Sequence, residues 1–279
     1  MRRAVSSMVC AAVFLAGCTA IGDAGNGAPA QAGAHPDPRP DVAVAPTWTE
    51  DFERLDPSRW QVQLFSFPAN GCNMVADHVD ARDGALSLLL TLNQATDPAL
   101  PKLCNSGEIG STDFFTYGLF VTRMRAPAVR GSVTAFFLMN QWVAQDWEHQ
   151  EIDIEILGRN TRAAQYTNHD FQNGGRDWKS ASDTVDLGFD ASLAFHEYAI
   201  LWTDAAVVWY VDGKRVHKES RYVPHVPLQI RMNTYLGDPA TPGVSAWLGP
   251  LDTRQLPASA AYRRIEYYPL TALPARYVQ

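Results

Sequence analysis

Glu151, Asp153 and Glu155 alternate with Ile152, Ile154 and Ile156, and the run closes on Leu157 and Gly158. Alternation with period two is the mark of a β-strand with one polar and one buried face. On such a strand the three carboxylates leave one face and the isoleucines leave the other. A helix would scatter the acids around its circumference, and the β-branched isoleucines favour the strand as well. Same-face neighbours sit roughly 6–7 Å apart, so each carboxylate raises the proton affinity of the next. At least one acid of the three should therefore hold a proton near neutral pH. Glu151 and Glu155 have Cα atoms roughly 13 Å apart on an ideal strand. Their long side chains can converge towards the separation of about 5–5.5 Å at which two carboxyl groups cleave a glycosidic bond with retention. One carboxylate would attack the anomeric carbon. The other would protonate the leaving oxygen and later activate water. Asp153, between them, would hydrogen-bond the nucleophile. A solvated edge strand or a calcium site would also produce acidic alternation.

These acids need a sheet to carry them, and the chain supplies one. Segments of strand character recur at residues 86–90, 117–125, 133–139, 198–202, 207–211, 228–232 and 265–268, with no convincing helical pattern between them. Asp212-Gly213 after Val211 is a hairpin turn signal. Many short strands without intervening helices predict an all-β antiparallel sandwich. Residues 46–272 have the composition of one domain.

The N-terminal region reads differently. Arg2 and Arg3 precede a short apolar run, and Leu15-Ala16-Gly17-Cys18 has the form of a lipobox. Residues 1–18 are expected to be a lipoprotein signal peptide, with Cys18 lipidated after cleavage; an ordinary secretory signal ending near Ala16 is the alternative. Both readings export the protein. An outer-membrane anchor, facing the periplasm or the surface, is the expectation. Residues 19–45 are rich in Gly, Ala and Pro and are expected to form a flexible tether. In an oxidising compartment Cys72 and Cys104 are expected to pair, closing a loop worth about 3–4 kcal/mol. Two free buried thiols are the alternative.

Other chemistries find no support. There is no H-E-x-x-H zinc site and no G-x-S-x-G elbow. A net charge of −7 argues against a nucleic-acid surface. His196, His217 and His225 are scattered and are expected to be structural. Asp183, Asp186 and Asp190 are expected on a solvated loop and strand start. No cofactor is expected, and a monomer is.

The acidic strand resembles the E-I-D-I/F-E signature of glycoside hydrolase family sixteen, in the form without an inserted Met. That form is found in lichenases (endo-β-1,3-1,4-glucanases), xyloglucan endotransglycosylases and fungal cell-wall transglycosylases. Further segments are similar to the family in order: residues 105–110 (N-S-G-E-I-G, with Gly110 where Arg is usual), 117–120, 131–137, 187–190, 195–198, 209–213 and 247–249. The resemblance implies a concanavalin-like β-jelly-roll sandwich of two antiparallel sheets. It implies Glu151 as nucleophile, Asp153 as assisting acid and Glu155 as general acid/base. It implies substrate contacts from Glu108, Phe136, Trp147, Asn233 and Tyr235, and it supports the Cys72–Cys104 bond. Lichenases hold a structural calcium partly through an Asp in the last strand. The matching position is Arg263, so no metal is expected there. His149-Gln150 stands before Glu151 where Trp-Asp or His-Asp is common, and residues 165–168 and 233–235 also depart from the lichenases. The implied activity is that of a retaining endo-β-glucanase on a β-glucan or related polysaccharide. A transglycosylase, or an enzyme trimming the cell's own exopolysaccharide, is the alternative; a carbohydrate-binding protein without catalysis is a third reading.

Overall fold

The structure is a computed structural model that describes residues 44–94, 98–140, 148–172 and 177–278. The signal, Cys18 and nearly all of the tether lie outside the described residues, as does Trp147. Seventeen strands are present among the described residues, with one short helix, α1 (Val244–Leu248), and three 3-10 turns. They form two sheets, as the sequence leads one to expect of a sandwich.

The first sheet has ten strands. They are β1 (Trp48–Glu50), β3 (Cys72–Met74), β4 (Val79–Arg82), β5 (Ala85–Leu92), β6 (Cys104–Ser106), β8 (Gly118–Arg125), β13 (His196–Trp202), β14 (Val207–Val211), β15 (Lys214–Glu219) and β17 (Ala258–Tyr268). Its order is β15-β14-β13-β8-β17-β5-β6-β3, with β1 on β17 and β4 on β5. The second sheet carries the acids. Its seven strands are β2 (Trp60–Val62), β7 (Glu108–Ser111), β9 (Ser132–Met139), β10 (His149–Leu157), β11 (Ala163–Gln172), β12 (Asp177–Asp186) and β16 (Gln229–Leu236). The order is β12-β11-β10-β9-β16-β7-β2, antiparallel throughout.

One pairing departs from the antiparallel expectation. β3 runs parallel to β6, with Cys72 opposite Cys104. These two cysteines form the disulfide, across 32 residues of sequence. The Asp212-Gly213 hairpin is present between β14 and β15, with both residues at positive φ (48° and 74°), as a two-residue type I′ turn requires.

The core lies between the sheets. Ile152, Ile154 and Ile156 are 0–1 % exposed and pack with Phe136, Leu138, Ile230 and Met232 of their own sheet. Phe120, Tyr198, Trp202, Trp209 and Tyr262 close the core from the other sheet. β10 ends abruptly at Gly158. A Cβ there would lie 2.0 Å from the Val129 carbonyl oxygen, so only glycine lets the chain turn away beside β9.

Of the histidines expected to be structural, His196 and His217 lie away from the acids, and the His225 backbone N–H donates to Gln150 at 2.7 Å. His196 bonds Asp212 at 2.8 Å and stacks on Phe189, and His217 packs against Tyr166 and Trp209. Asp183 and Asp186 correct the loop reading, since both lie in β12. Asp190 lies in the turn that follows and accepts a hydrogen bond from Thr161. Arg263 stacks its guanidinium over Phe195, 4.3 Å from the ring centroid, on the ten-stranded sheet.

Candidate active site

The ladder pairings place each side chain on a face. Glu155 stands opposite Gln165 on one side and Ala135 on the other; Ala135 stands opposite Asn233, and Asn233 opposite Glu108. Asp153 stands between Thr167 and Phe137, and Phe137 opposite Arg231. Glu151 stands between His169 and Met139, and His149 opposite Phe171. Directly opposed residues share a face, so all of these lie on the outer face of the seven-stranded sheet, away from the isoleucines.

This register corrects one sequence expectation. Phe136 stands opposite Ile154, shares its inward direction and is fully buried in the core. It cannot touch a substrate on the outer face. Its neighbour Phe137 does face outward, and with Ala135 and Met139 it forms a small apolar strip of its own between the acids and β16. The slip by one residue reverses the face, as period two dictates.

The expected substrate residues Glu108, Asn233 and Tyr235 are on the outer face. Glu108 is 3 % exposed, and both its oxygens are engaged: Arg231 donates to one at 2.9 Å and Asn233 to the other at 3.0 Å. Arg231 also donates to Gln229 at 3.0 Å. Burial pushes the Glu108 carboxyl up, and the Arg231 charge pulls against it. Tyr235 is buried edge-on against Phe67, and its phenol is driven far above the ordinary range by burial, with the Glu155 charge adding.

The three acids are electrostatically unlike one another. Burial alone would raise Glu151. His149 opposes that: its Nε2 is 2.6 Å from Glu151 Oε2, and its charge and hydrogen bond bring the carboxyl below its ordinary value. Asp153 is pushed well up by burial, by Glu151 and by Glu155. A hydrogen bond to Glu151 acts in the same direction and favours the neutral, donating form of Asp153. Glu155 is pushed up to about 8, first by burial and then by the Glu151 charge. Thus at neutral pH Glu155 holds its proton, while Glu151 is the acid of the three whose charged form is favoured. The expectation of at least one retained proton is met, and its location follows from which acid has an imidazole partner.

Sequence reasoning missed those imidazoles. His149 continues the odd-numbered alternation of the acids, so the strand itself carried the signal. His169 comes from β11, and only the register brings it beside Glu151, with Nε2 3.4 Å from Asp153 Oδ2. Burial pushes His169 down to about 4, so it is neutral near pH 7. Trp247, at the end of α1, also reaches the site and donates to Gln165 at 3.1 Å. Glu151, Asp153 and His169 each bring one possible ligand atom within 4.8 Å of the others, so this corner could hold a cation.

Comparison with known proteins bears on the whole domain. Residues 69–248 match the model of glycosyl hydrolases family 16. A beta-glucanase of Brevibacillus brevis is 32 % identical over 231 residues, covering 79 % of this chain and 81 % of the relative. A beta-glucanase of Acetivibrio thermocellus is 35 % identical over 228 residues, covering 78 % of this chain and 61 % of that longer relative. Among solved structures, a prokaryotic beta-1,3-1,4-glucanase (lichenase) from a mouse hindgut metagenome superposes with a TM-score of 0.70 at 28 % identity, over 80 % of this chain and 99 % of that one.

Proposed function

The chain belongs to glycosyl hydrolases family 16, and we propose that it is a retaining endo-β-glucanase, with β-1,3-1,4-glucan as its first candidate substrate. The observation that carries the reading is the split of protonation along β10. Glu151 is held ionised by His149, while Glu155, two positions beyond Asp153 on the same face, is held protonated with a value of about 8. A nucleophile and an acid are what double displacement needs.

In the first step Glu151 attacks the anomeric carbon as the bond to the leaving sugar breaks. The proton of Glu155 goes to the leaving oxygen. The resulting glycosyl-enzyme has no charge on Glu151, so one of the two causes that raise Glu155 disappears. Glu155, now ionised, is then a fitting base. It takes a proton from water as the water oxygen bonds to the anomeric carbon, and the electron pair of the ester bond returns to Glu151. Asp153 donates its hydrogen bond to Glu151 throughout. Phe137 and Met139 keep the strip beside the acids dry, which strengthens each of these interactions.

The beta-glucanase and lichenase relatives support β-glucan as the substrate class. A sugar hydroxyl in place of water would make the same intermediate a transglycosylation step. The Leu15-Ala16-Gly17-Cys18 lipobox favours export and lipid anchoring through Cys18, with residues 19–45 as tether, and so favours work on a glycan at the cell envelope. The test is a product assay by mass spectrometry on barley mixed-linkage glucan, lichenan, laminarin, xyloglucan and a bacterial exopolysaccharide. Short oligosaccharides from a β-glucan, abolished in Glu151→Gln, are the expected result. Products longer than an added acceptor would make it a transglycosylase. An unchanged rate in Glu151→Gln would sink the assignment of the nucleophile.

A further inference from the structure

His149 stands on the outer face of β10, two positions before Glu151, and touches the reacting carboxylate. Its Nε2 lies 2.6 Å from Glu151 Oε2. The ring is fixed. It stacks on Phe171, centroids 5.1 Å apart and planes 21° from parallel, and its side chain is 7 % exposed. Phe171 also supports His169 at 5.1 Å, so one aromatic ring steadies both imidazoles beside the acids. Two acceptors would not approach to 2.6 Å. With Glu151 ionised, Nε2 therefore carries the hydrogen and donates it.

A donor aimed at a nucleophilic carboxylate has unequal effects on the two half-reactions. In the free enzyme Glu151 bears a full charge, and the bond is strong. In the glycosyl-enzyme the charge is gone, and the same bond is weak. Stabilising the charged carboxylate offers nothing to the step that consumes the charge. It favours the step that regenerates it, in which the C–O pair returns to Glu151 as water or a sugar hydroxyl attacks. We propose that His149 is a positioning residue for deglycosylation, which makes the Glu151 carboxylate a good leaving group while its formation of the ester needs no help from the imidazole. The inference rests on Glu151 being the nucleophile.

The test uses the whole protein and a 2,4-dinitrophenyl β-glycoside of a short β-glucan oligosaccharide, whose activated leaving group makes the first step fast. His149→Phe keeps a flat ring against Phe171 and removes the donor. His149→Gln keeps an N–H near the same place. Loss of one charge-assisted hydrogen bond corresponds to roughly a 10–100-fold fall in the step it serves. The expected result for His149→Phe is a pre-steady-state burst of dinitrophenol equal to the enzyme, with kcat down about 10–100-fold, KM down in parallel, and kcat/KM nearly unchanged. His149→Gln should recover most of kcat. Equal falls in kcat and kcat/KM without a burst, in both variants, would overturn the proposal and leave His149 a structural prop. If His149→Phe does not fold, the same burst and rate comparison on His149→Gln alone decides: wild-type kinetics or a partial burst supports the donor role, and a fall in kcat/KM overturns it. A 2-fluoro glycoside labels the nucleophile independently. Label on Glu151 with no burst refutes only this inference, whereas label elsewhere refutes the reading on which it rests.

Discussion

Ile154 stands across the ladder from Phe136, and Asp153 stands across from Phe137. Two adjacent phenylalanines therefore serve opposite faces of one sheet, and their substitution should fail in different ways. Phe136→Ala opens a hole in the core and should cost about 3–5 kcal/mol of stability, with kcat of the folded protein within a few-fold of wild type. Phe137→Ala removes part of the apolar strip beside the acids. Burial is the first cause holding Glu155 at about 8, so admitting water should lower that value. The enzyme needs Glu155 protonated, so the basic limb of kcat/KM should move to lower pH. A pH profile alongside thermal melting checks both, and a basic limb left in place by Phe137→Ala would refute the dry-strip argument. The residue scale is also where the sequence was most and least readable. The alternation of acids and isoleucines announced a strand and its two faces, and His149 lay on the same alternation waiting to be counted. Which phenylalanine of the pair faces outward was not readable, because both are large and apolar and only the register with β10 distinguishes them.

The missed strands show what hides an element. β11 is one of the two neighbours of β10 and β12 lies beyond it, yet neither reads as a half-buried strand. The inward positions of β11 include Asn168 and Asp170, which are polar and buried. Asn168 donates to the Arg221 carbonyl, and Asp170 accepts from Gln150 at the end of the sandwich. A buried polar residue with a partner satisfies the physics but erases the period-two signal. By contrast β9, β14 and β16 bury apolar side chains densely and were legible. The disulfide belongs to this scale too. It ties β3 to β6, strands of three residues each that offer little ladder of their own. Reduction, or Cys72→Ala with Cys104→Ala, should lower stability by about 3–4 kcal/mol, in keeping with a loop closed across 32 residues. For a domain of this size that is a fall in Tm of roughly 10 °C. The acids sit on the other sheet, so kcat measured well below the new Tm should change little. Calorimetry with and without reductant decides, and an unchanged Tm would show that β3 is held by packing around Met74 and Leu236 instead.

For the whole domain, the site imposes a pH dependence on folding. Glu155 has a folded value of about 8 against an ordinary carboxyl value of 4.5, so between those limits the folded state binds more protons than the unfolded. Its contribution is present at acid pH and is lost as pH rises through 8. Asp153 and Glu108, both raised by burial, act in the same sense. His169 acts oppositely. Its folded value of about 4 lies below the ordinary 6.5, so it favours folding increasingly as pH rises through that window and adds nothing further above it. From about 4.5 to 6.5 the two effects oppose. From 6.5 to 8 the raised carboxyls act alone, and stability should fall. One proton over that interval is worth about 2 kcal/mol as an upper figure, or roughly 4–8 °C in Tm. Glu155→Gln removes the titration while keeping the shape, so its Tm should decline less steeply than wild type over the same interval and should exceed wild type most at pH 8. Parallel declines in the two proteins would mean that Glu155 does not hold its proton in the folded state. The same proton is the one the glycosidic oxygen receives, so the decline in stability should level off near the pH at which the basic limb of kcat/KM has its midpoint, because an acid kept ready for transfer in a dry site is also a group the fold can ionise only at its own expense.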